Sequence, residues 1–236
     1  MPETAPGALL MAQQAERKFL LDASSADMVW RRASARLHPQ LRDADRPITY
    51  HRTTYFDTLD HAYYRGAGPV AQRVRVREYA TASSPGAALL LMRPCFLELK
   101  QSSHGMRSKT RLEIEDACEV DRHLDAVGGP GLVPCLTTWY QRAALTDGSE
   151  RIRITLDSDI RYCAPQPIGS PCAEAPPSCE RPSALVLEIK VWGILPPWLG
   201  KLVRSIEEAA DFSKFRAGMQ AVGVSCSRMS TAASPR

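Results

Sequence analysis

Six short stretches of this sequence carry charged side chains at every second position: Glu16-Arg17-Lys18, Arg73-Val74-Arg75-Val76-Arg77, Glu98-Leu99-Lys100, Lys109-Thr110-Arg111-Leu112-Glu113, Arg151-Ile152-Arg153 and Glu188-Ile189-Lys190. In a β-strand, residues i and i+2 point to the same side. Each stretch therefore gives a charged row on one face and, in most, an apolar row on the other. Alternation alone is the ordinary pattern of an antiparallel sheet with one face in water. Two features set these rows apart. Solvent faces mix charge with Ser, Thr, Asn and Gln, whereas these rows are nearly pure Lys, Arg and Glu. The rows also hold ten cations (Lys18, Arg73, Arg75, Arg77, Lys100, Lys109, Arg111, Arg151, Arg153 and Lys190) against four carboxylates (Glu16, Glu98, Glu113 and Glu188). That surplus of six exceeds the +4 of the entire chain.

Such rows suit the binding of an anion. If the strands curl with the charged faces inward, the cations converge on one lumen and repel each other unless an anion is shared among them. A triphosphate supplies several negative charges along a line. Arg offers paired hydrogen bonds to phosphate oxygens and Lys a point charge. The interspersed carboxylates suit a hard divalent cation such as Mg2+ or Mn2+.

The elements that must position these rows follow from the pattern. Strands are expected at 15–21, 49–56, 70–79, 89–101, 107–115, 136–145, 151–160 and 183–192. A turn is expected at 83–86 and another at Asp147-Gly148. A helix capped by Ser24 or Ser25 should run to about Leu37. A short helical piece should end near Arg65, and another should span Cys118 to Val127. Pro196-Pro197 should open a helix reaching about Ala210, and Phe212 to Val222 a last one. Residues 1–13 read as a flexible leader, 164–182 as a mobile loop rich in Pro, Ser and Cys, and 223–236 as a disordered tail.

Other classes find little support. No Walker A, G-x-G-x-x-G or G-x-S-x-G motif is present. The five His are scattered and read as surface or structural residues, and nothing resembles an aromatic nucleic-acid platform. No nucleic-acid partner is expected. No apolar run reaches the roughly 18–20 residues of a membrane span. The seven Cys form no C-x-x-C pair, so reduced thiols in a cytoplasmic protein are expected.

Nine short motifs occur in a telling order. They are Glu16-Arg17-Lys18-Phe19, Tyr55-Phe56-Asp57-Thr58, Arg73-x-Arg75, Leu97-Glu98-Leu99-Lys100, Ser108-Lys109-Thr110-Arg111, Tyr140-Gln141-Arg142-Ala143, Arg153-Ile154-Thr155-Leu156-Asp157, Leu187-Glu188-Ile189-Lys190 and Phe212-Ser213-Lys214-Phe215. Over residues 14–222 this resembles the catalytic domain of the VTC (vacuolar transporter chaperone) polyphosphate polymerases, within the triphosphate tunnel metalloenzyme superfamily that also holds the CYTH domains. The first strand has Glu16-x-Lys18 rather than a full E-x-E-x-K, which favours the VTC branch.

The resemblance implies an α+β fold, a closed antiparallel β-barrel tunnel of about eight strands with a charged interior and flanking helices. It implies that Arg73, Arg75, Lys100 and Arg153 carry catalysis. Lys18, Lys109, Arg111, Arg142, Lys190, Ser213 and Lys214 would bind substrate, and Glu188 the Mn2+ or Mg2+. The implied partners are ATP or another triphosphate, and polyphosphate. The implied reaction moves the γ-phosphoryl group of ATP onto a polyphosphate chain. A triphosphatase and a noncatalytic polyanion-binding module are the alternatives. Removing Arg75 or Lys100 is expected to weaken triphosphate binding with little loss of stability, because an empty cationic lumen is strained.

Overall fold

The computed structural model describes residues 14–41, 48–66, 71–81, 89–103, 106–169 and 182–223. The leader, the tail beyond Gly223, the 83–86 turn and residues 170–181 of the expected loop lie outside them. Eight strands form one continuous antiparallel path. In chain order they are β1 (Gln14–Leu21), β3 (Ile48–Asp57), β4 (Ala71–Thr81), β5 (Leu90–Ser103), β6 (Met106–Ile114), β7 (Val133–Thr146), β8 (Ile152–Cys163) and β9 (Leu185–Trp192). Across the sheet the order is β1-β9-β8-β7-β3-β4-β5-β6, with the two-residue β2 (His38–Pro39) attached to β7. The helices are α1 (Ala23–Ser34), α2 (Ala62–Arg65), α3 (Val120–Gly128), α4 (Pro197–Val203) and α5 (Lys214–Ala221).

Period-two alternation decides which face goes where. The apolar rows point away from the sheet's concave side and are covered by helices. Phe19, Ile154, Leu187, Ile189 and Val191 pack with Val29 and Ala33 of α1 and Leu199 and Leu202 of α4. On the other half, Val74, Val76, Leu97, Leu99 and Ile114 pack with Val120 and Leu124 of α3. A third cluster joins Tyr55, Leu136, Tyr140, Ile160 and Tyr162 to Phe215 and Met219 of α5. The covered apolar faces leave the charged rows to line the inside.

Several sequence expectations change in the structure. The barrel is not closed: β1 and β6 end the path and do not pair with each other. The α1 cap is Asp22, whose Oδ1 accepts from the Ser25 backbone N–H at 2.8 Å, while Ser24 donates its hydroxyl to the same carboxylate. A carboxylate two positions upstream of Ser24 outcompetes the serines as acceptor. The helix opened by Pro196-Pro197 stops at Val203 rather than near Ala210. Beyond it, Glu208 bridges Phe19 and the Ala209 N–H donates to the Lys18 carbonyl at 2.8 Å, because the open edge of β1 offers unpaired backbone groups. Cys163 is disulfide-bonded, against the expectation of reduced thiols throughout; sequence spacing alone does not reveal which sulfurs meet in space. Cys95, Cys118 and Cys135 are free thiols. No helix among the described residues is long and apolar enough to cross a membrane.

Asp57, part of one quoted motif, turns out to be a structural carboxylate. It is fully buried and accepts backbone N–H groups from Thr58, Tyr63 and Tyr64, so it holds α2 against β3.

The packing of α5 gives a stability prediction. A Cβ at Gly218 would lie 2.5 Å from Leu136 Cδ2 and 2.8 Å from Tyr162 Cδ1. Gly218→Ala should therefore destabilise by roughly 1–2 kcal/mol, an overpacking cost partly offset by better helix propensity. Urea unfolding should show a lower midpoint with an unchanged slope.

Candidate active site

All eight strands of the sheet path contribute to one cavity of about 960 Å³. Strands at opposite ends of the path share it, so the sheet curls around it. Its wall, counted among the described residues, holds twelve Lys and Arg side chains against four carboxylates. Every residue assigned by the sequence lies on this wall: Lys18, Arg73, Arg75, Lys100, Lys109, Arg111, Arg142, Arg153, Glu188, Lys190, Ser213 and Lys214. Arg151 and Glu113, which belong to the alternating rows, do not. Arg151 precedes β8, and Glu113 lies near the end of β6 on an exposed stretch.

The strands deliver the charges in register. Arg73 pairs with Lys100, Arg75 with Glu98 and Lys100 with Lys109. Glu16 pairs with Lys190, and Lys18 with Glu188. Two buried carboxylates then anchor the cations. Glu98, 1% exposed, accepts from Arg75 Nε at 2.8 Å and Nη2 at 2.6 Å, and from Lys109 at 2.8 Å. Burial pushes its carboxyl upward, but Arg75, Arg77 and Lys109 outweigh that and hold it far below the usual range. Asp157, also 1% exposed, accepts from Arg142 Nη2 at 2.7 Å and from Lys214. Its carboxyl is likewise held down by Arg142 and Lys214 against the opposing effect of burial. Through Lys214, Asp157 ties the start of α5 to the sheet.

Between β1 and β9 the charges alternate. Lys18 lies 3.1 Å from Glu16, and Lys190 lies 3.6 Å from Glu16 and 3.1 Å from Glu188. Burial works to raise the Glu188 carboxyl, yet Lys190, Arg142 and Lys214 lower it to about 2. Among the described residues no three His, Cys, Asp or Glu gather as a metal cage. Glu16 and Glu188, joined through Lys190, are a two-carboxylate donor set. Such a set suits Mg2+ or Mn2+ only when phosphate oxygens and water complete the shell.

Five wall cations (Arg73, Arg77, Lys100, Arg153 and Arg216) have no such anchor among the described residues, although Arg73 donates to Ser213 at 3.0 Å. Lys100 forms no ion pair with a described residue, and the Nε atoms of Arg77 and Arg153 are buried without a hydrogen-bond partner. The Arg75 charge, then burial, then the Lys190 charge pull the Lys100 ammonium down to about 7. Lys190 and Lys100 sit on strands five steps apart in the sheet, which reflects the same curl.

Aromatic rings also line the wall, among them His51, Tyr55, Tyr79 and Tyr140, and the sequence reading missed them. His51 stacks on Tyr140 with centroids 4.7 Å apart and meets Tyr79 edge-on at 4.9 Å. Lys214 and Arg142 lie over the Tyr140 ring at 4.9 and 5.4 Å, and Arg111 over Phe96 at 3.7 Å. Cations are thus partly held on π-faces. Burial would raise the Tyr55 phenol, but Arg75, Arg77 and Lys214 bring it below its ordinary value. The signal for these rings was parity. Tyr79 continues the Arg73-Arg75-Arg77 row by two, and Tyr140 precedes Arg142 by two. Arg77, Glu16 and Arg216 also lie on the wall without having been assigned a role.

The comparison with known proteins then decides the family. The VTC domain family model matches residues 13–125 and 122–223. The chain belongs to the VTC domain family. Among solved structures, this VTC domain is similar to the PH1819 protein of Pyrococcus horikoshii OT3, with a TM-score of 0.52 and 13% identity over 88% of this chain and 99% of that one. It is also similar to a Bacillus halodurans protein named a "putative adenylate cyclase", with a TM-score of 0.50 and 16% identity over 86% of this chain and 95% of that one. At these identities the likeness is one of fold. No curated protein sequence matches the chain.

The pairing pattern splits the expectation that Arg75 and Lys100 are equally dispensable. Removing Arg75 strands the buried Glu98 with Lys109 as its main partner. Arg75→Ala should cost about 2–3 kcal/mol, less than the roughly 3–5 of a fully stranded buried charge. Lys100 behaves oppositely. The unfolded chain keeps that proton up to about pH 10.5, the folded chain only to about 7. Between those values the unfolded state binds more protons, so this group's penalty is full below about pH 7 and fades as pH rises. Lys100→Met should therefore raise the melting temperature near about pH 6, and the gain should shrink toward about pH 10. A Tm gain that does not change with pH would rule out this account of the site.

Proposed function

We propose that this VTC domain binds the phosphate chain of ATP and the end of a polyphosphate chain in the cavity, and transfers the γ-phosphoryl group from the first to the second. The single observation that carries the reading is the cationic surplus of the wall, in which Lys100, Arg77 and Arg153 form no ion pair with a described residue. Cations at such density favour an anion with several charges. A phosphate chain is linear, as is the row from Arg73 to Arg77 along β4. Membership of the VTC domain family supports the same substrate class.

Phosphoryl transfer asks the protein for position and charge neutralisation. A terminal oxygen of the polyphosphate attacks the γ-phosphorus. The bond from γ-phosphorus to the β–γ bridging oxygen breaks, and ADP leaves with that electron pair. Arg73, Arg75, Lys100 and Arg153 would face the oxygens on which charge accumulates. Lys18, Lys109, Arg111, Arg142, Lys190, Ser213 and Lys214 would seat the rest of the two chains. Arg75 and Arg142 are pre-positioned by Glu98 and Asp157, so they need no reorganisation when substrate arrives. A bound Mg2+ or Mn2+, held by Glu188 with Glu16, would neutralise phosphate charge. No protein nucleophile is required, because the acceptor is the chain end.

Incubation with ATP and Mn2+ tests it: polyphosphate resolved on a gel is the expected product. Free phosphate without polymer would replace the polymerase with a triphosphatase acting in the same cavity. Tight binding without turnover would leave a polyanion-binding module. Glu188→Gln should abolish metal-dependent turnover while tripolyphosphate still binds; full activity in that variant removes Glu188 from the metal role. Arg77→Gln should weaken tripolyphosphate binding by about tenfold, the loss of one charge-assisted fork.

A further inference from the structure

The two strands that end the sheet path border the cavity without pairing to each other. β1 pairs with β9 and β6 pairs with β5. Among the described residues, the free edge of β1 is covered only near Lys18 and Phe19. There Glu208 bridges Phe19, Ala209 donates to the Lys18 carbonyl, and Arg17 forms a 2.7 Å ion pair with Glu208. From there residues 210–216 line the cavity, with Lys18 Nζ 3.4 Å from the Phe212 carbonyl and Ser213 accepting from Arg73 at 3.0 Å. No described strand pairs with the remaining edge of β1 or with the outer edge of β6.

The charge along this gap matches that of the cavity. From β1, Glu16 and Lys18 face the lumen; from β6, Ser108, Lys109 and Arg111 do so. Lys109 and Arg111 are 45% and 38% exposed, against 12% for Arg75 and 14% for Arg142 deeper in the wall. The cationic interior therefore continues sideways to the surface along β6. An unpaired strand edge also presents backbone N–H groups, a second set of donors for an anion.

Resting on the proposed phosphate-chain site, we infer that the interrupted wall between β1 and β6 is a side entrance, through which an internal stretch of a long linear polyphosphate enters the cavity without threading an end. A closed barrel admits a polymer only by its termini. A wall open along one seam, lined by Lys18, Lys109 and Arg111, admits any segment of it. The occupant is fixed by charge and shape: a thin chain carrying negative charge along its whole length and no bulky substituent. The ligand class thereby widens from triphosphate ends to the interior of long chains.

The test uses the intact protein and two preparations of long-chain polyphosphate of equal length, one free and one carrying a protein-sized block on both terminal phosphates. Binding is measured at one fixed salt concentration, because polyanion affinity depends steeply on salt. The expected result is equal affinity within about twofold, with tripolyphosphate displacing both chains. A loss of about tenfold or more for the blocked chain, with the free chain and tripolyphosphate still bound, overturns the side entrance and leaves the phosphate site standing. Binding of the blocked chain that tripolyphosphate cannot displace places it on the outer surface and also overturns the entrance. If neither the free chain nor tripolyphosphate binds, both the entrance and the phosphate-chain reading fail.

Discussion

Like charges gathered around one cavity dominate this structure. Twelve cationic side chains and four carboxylates share its wall, in surroundings that solvate them less well than water. The fold manages the repulsion in two ways. Glu98 and Asp157, both buried, hold five cations between them, Arg75, Lys109 and Arg111 on the first and Arg142 and Lys214 on the second. Rings support three of the same cations from the other side, with Tyr140 lying beneath Lys214 and Arg142 and Phe96 beneath Arg111. Among the described residues, Arg73, Arg77, Lys100, Arg153 and Arg216 remain without an ion pair.

Turning the charged faces inward has a structural consequence. The apolar faces point outward and need cover, which α1, α4 and α3 provide. The helix α5 does more than cover. Its Phe215 stacks on Tyr55 at 5.1 Å, its Lys214 reaches Asp157, and Ser213 at its start accepts from Arg73. Wall, helix and the 208–213 segment along the β1 edge are thus one connected arrangement.

Much of this was legible in the sequence. The rows Arg73-Arg75-Arg77 and Glu98-Lys100 declare strands whose charged side is continuous, and their parity carries on to Tyr79. The nine motifs named the family that the whole-chain match establishes. The misses have physical reasons. Arg151 keeps the parity but falls before β8 begins, and strand ends are set by pairing rather than by pattern. The residues after Val203 have helix-forming composition, yet their backbone pairs with β1. Asp57 sits in a family motif and serves α2, because three backbone N–H groups converge on it. The aromatic wall went unread because Tyr and His on a strand look like core until the cations above them are placed.

The sequence by itself determined the two faces of each strand and the excess of positive charge on one of them. Side-chain direction in a strand repeats every two residues, so that information is local. Tertiary structure decided which cations are paired and which are left alone, why Arg75 is a partner of Glu98 while Lys100 is pulled down to about 7, and that β1 and β6 stop short of each other. Ion pairing, desolvation and sheet closure depend on distances between residues far apart in the chain. The alternation of Lys, Arg and Glu carries no trace of those distances.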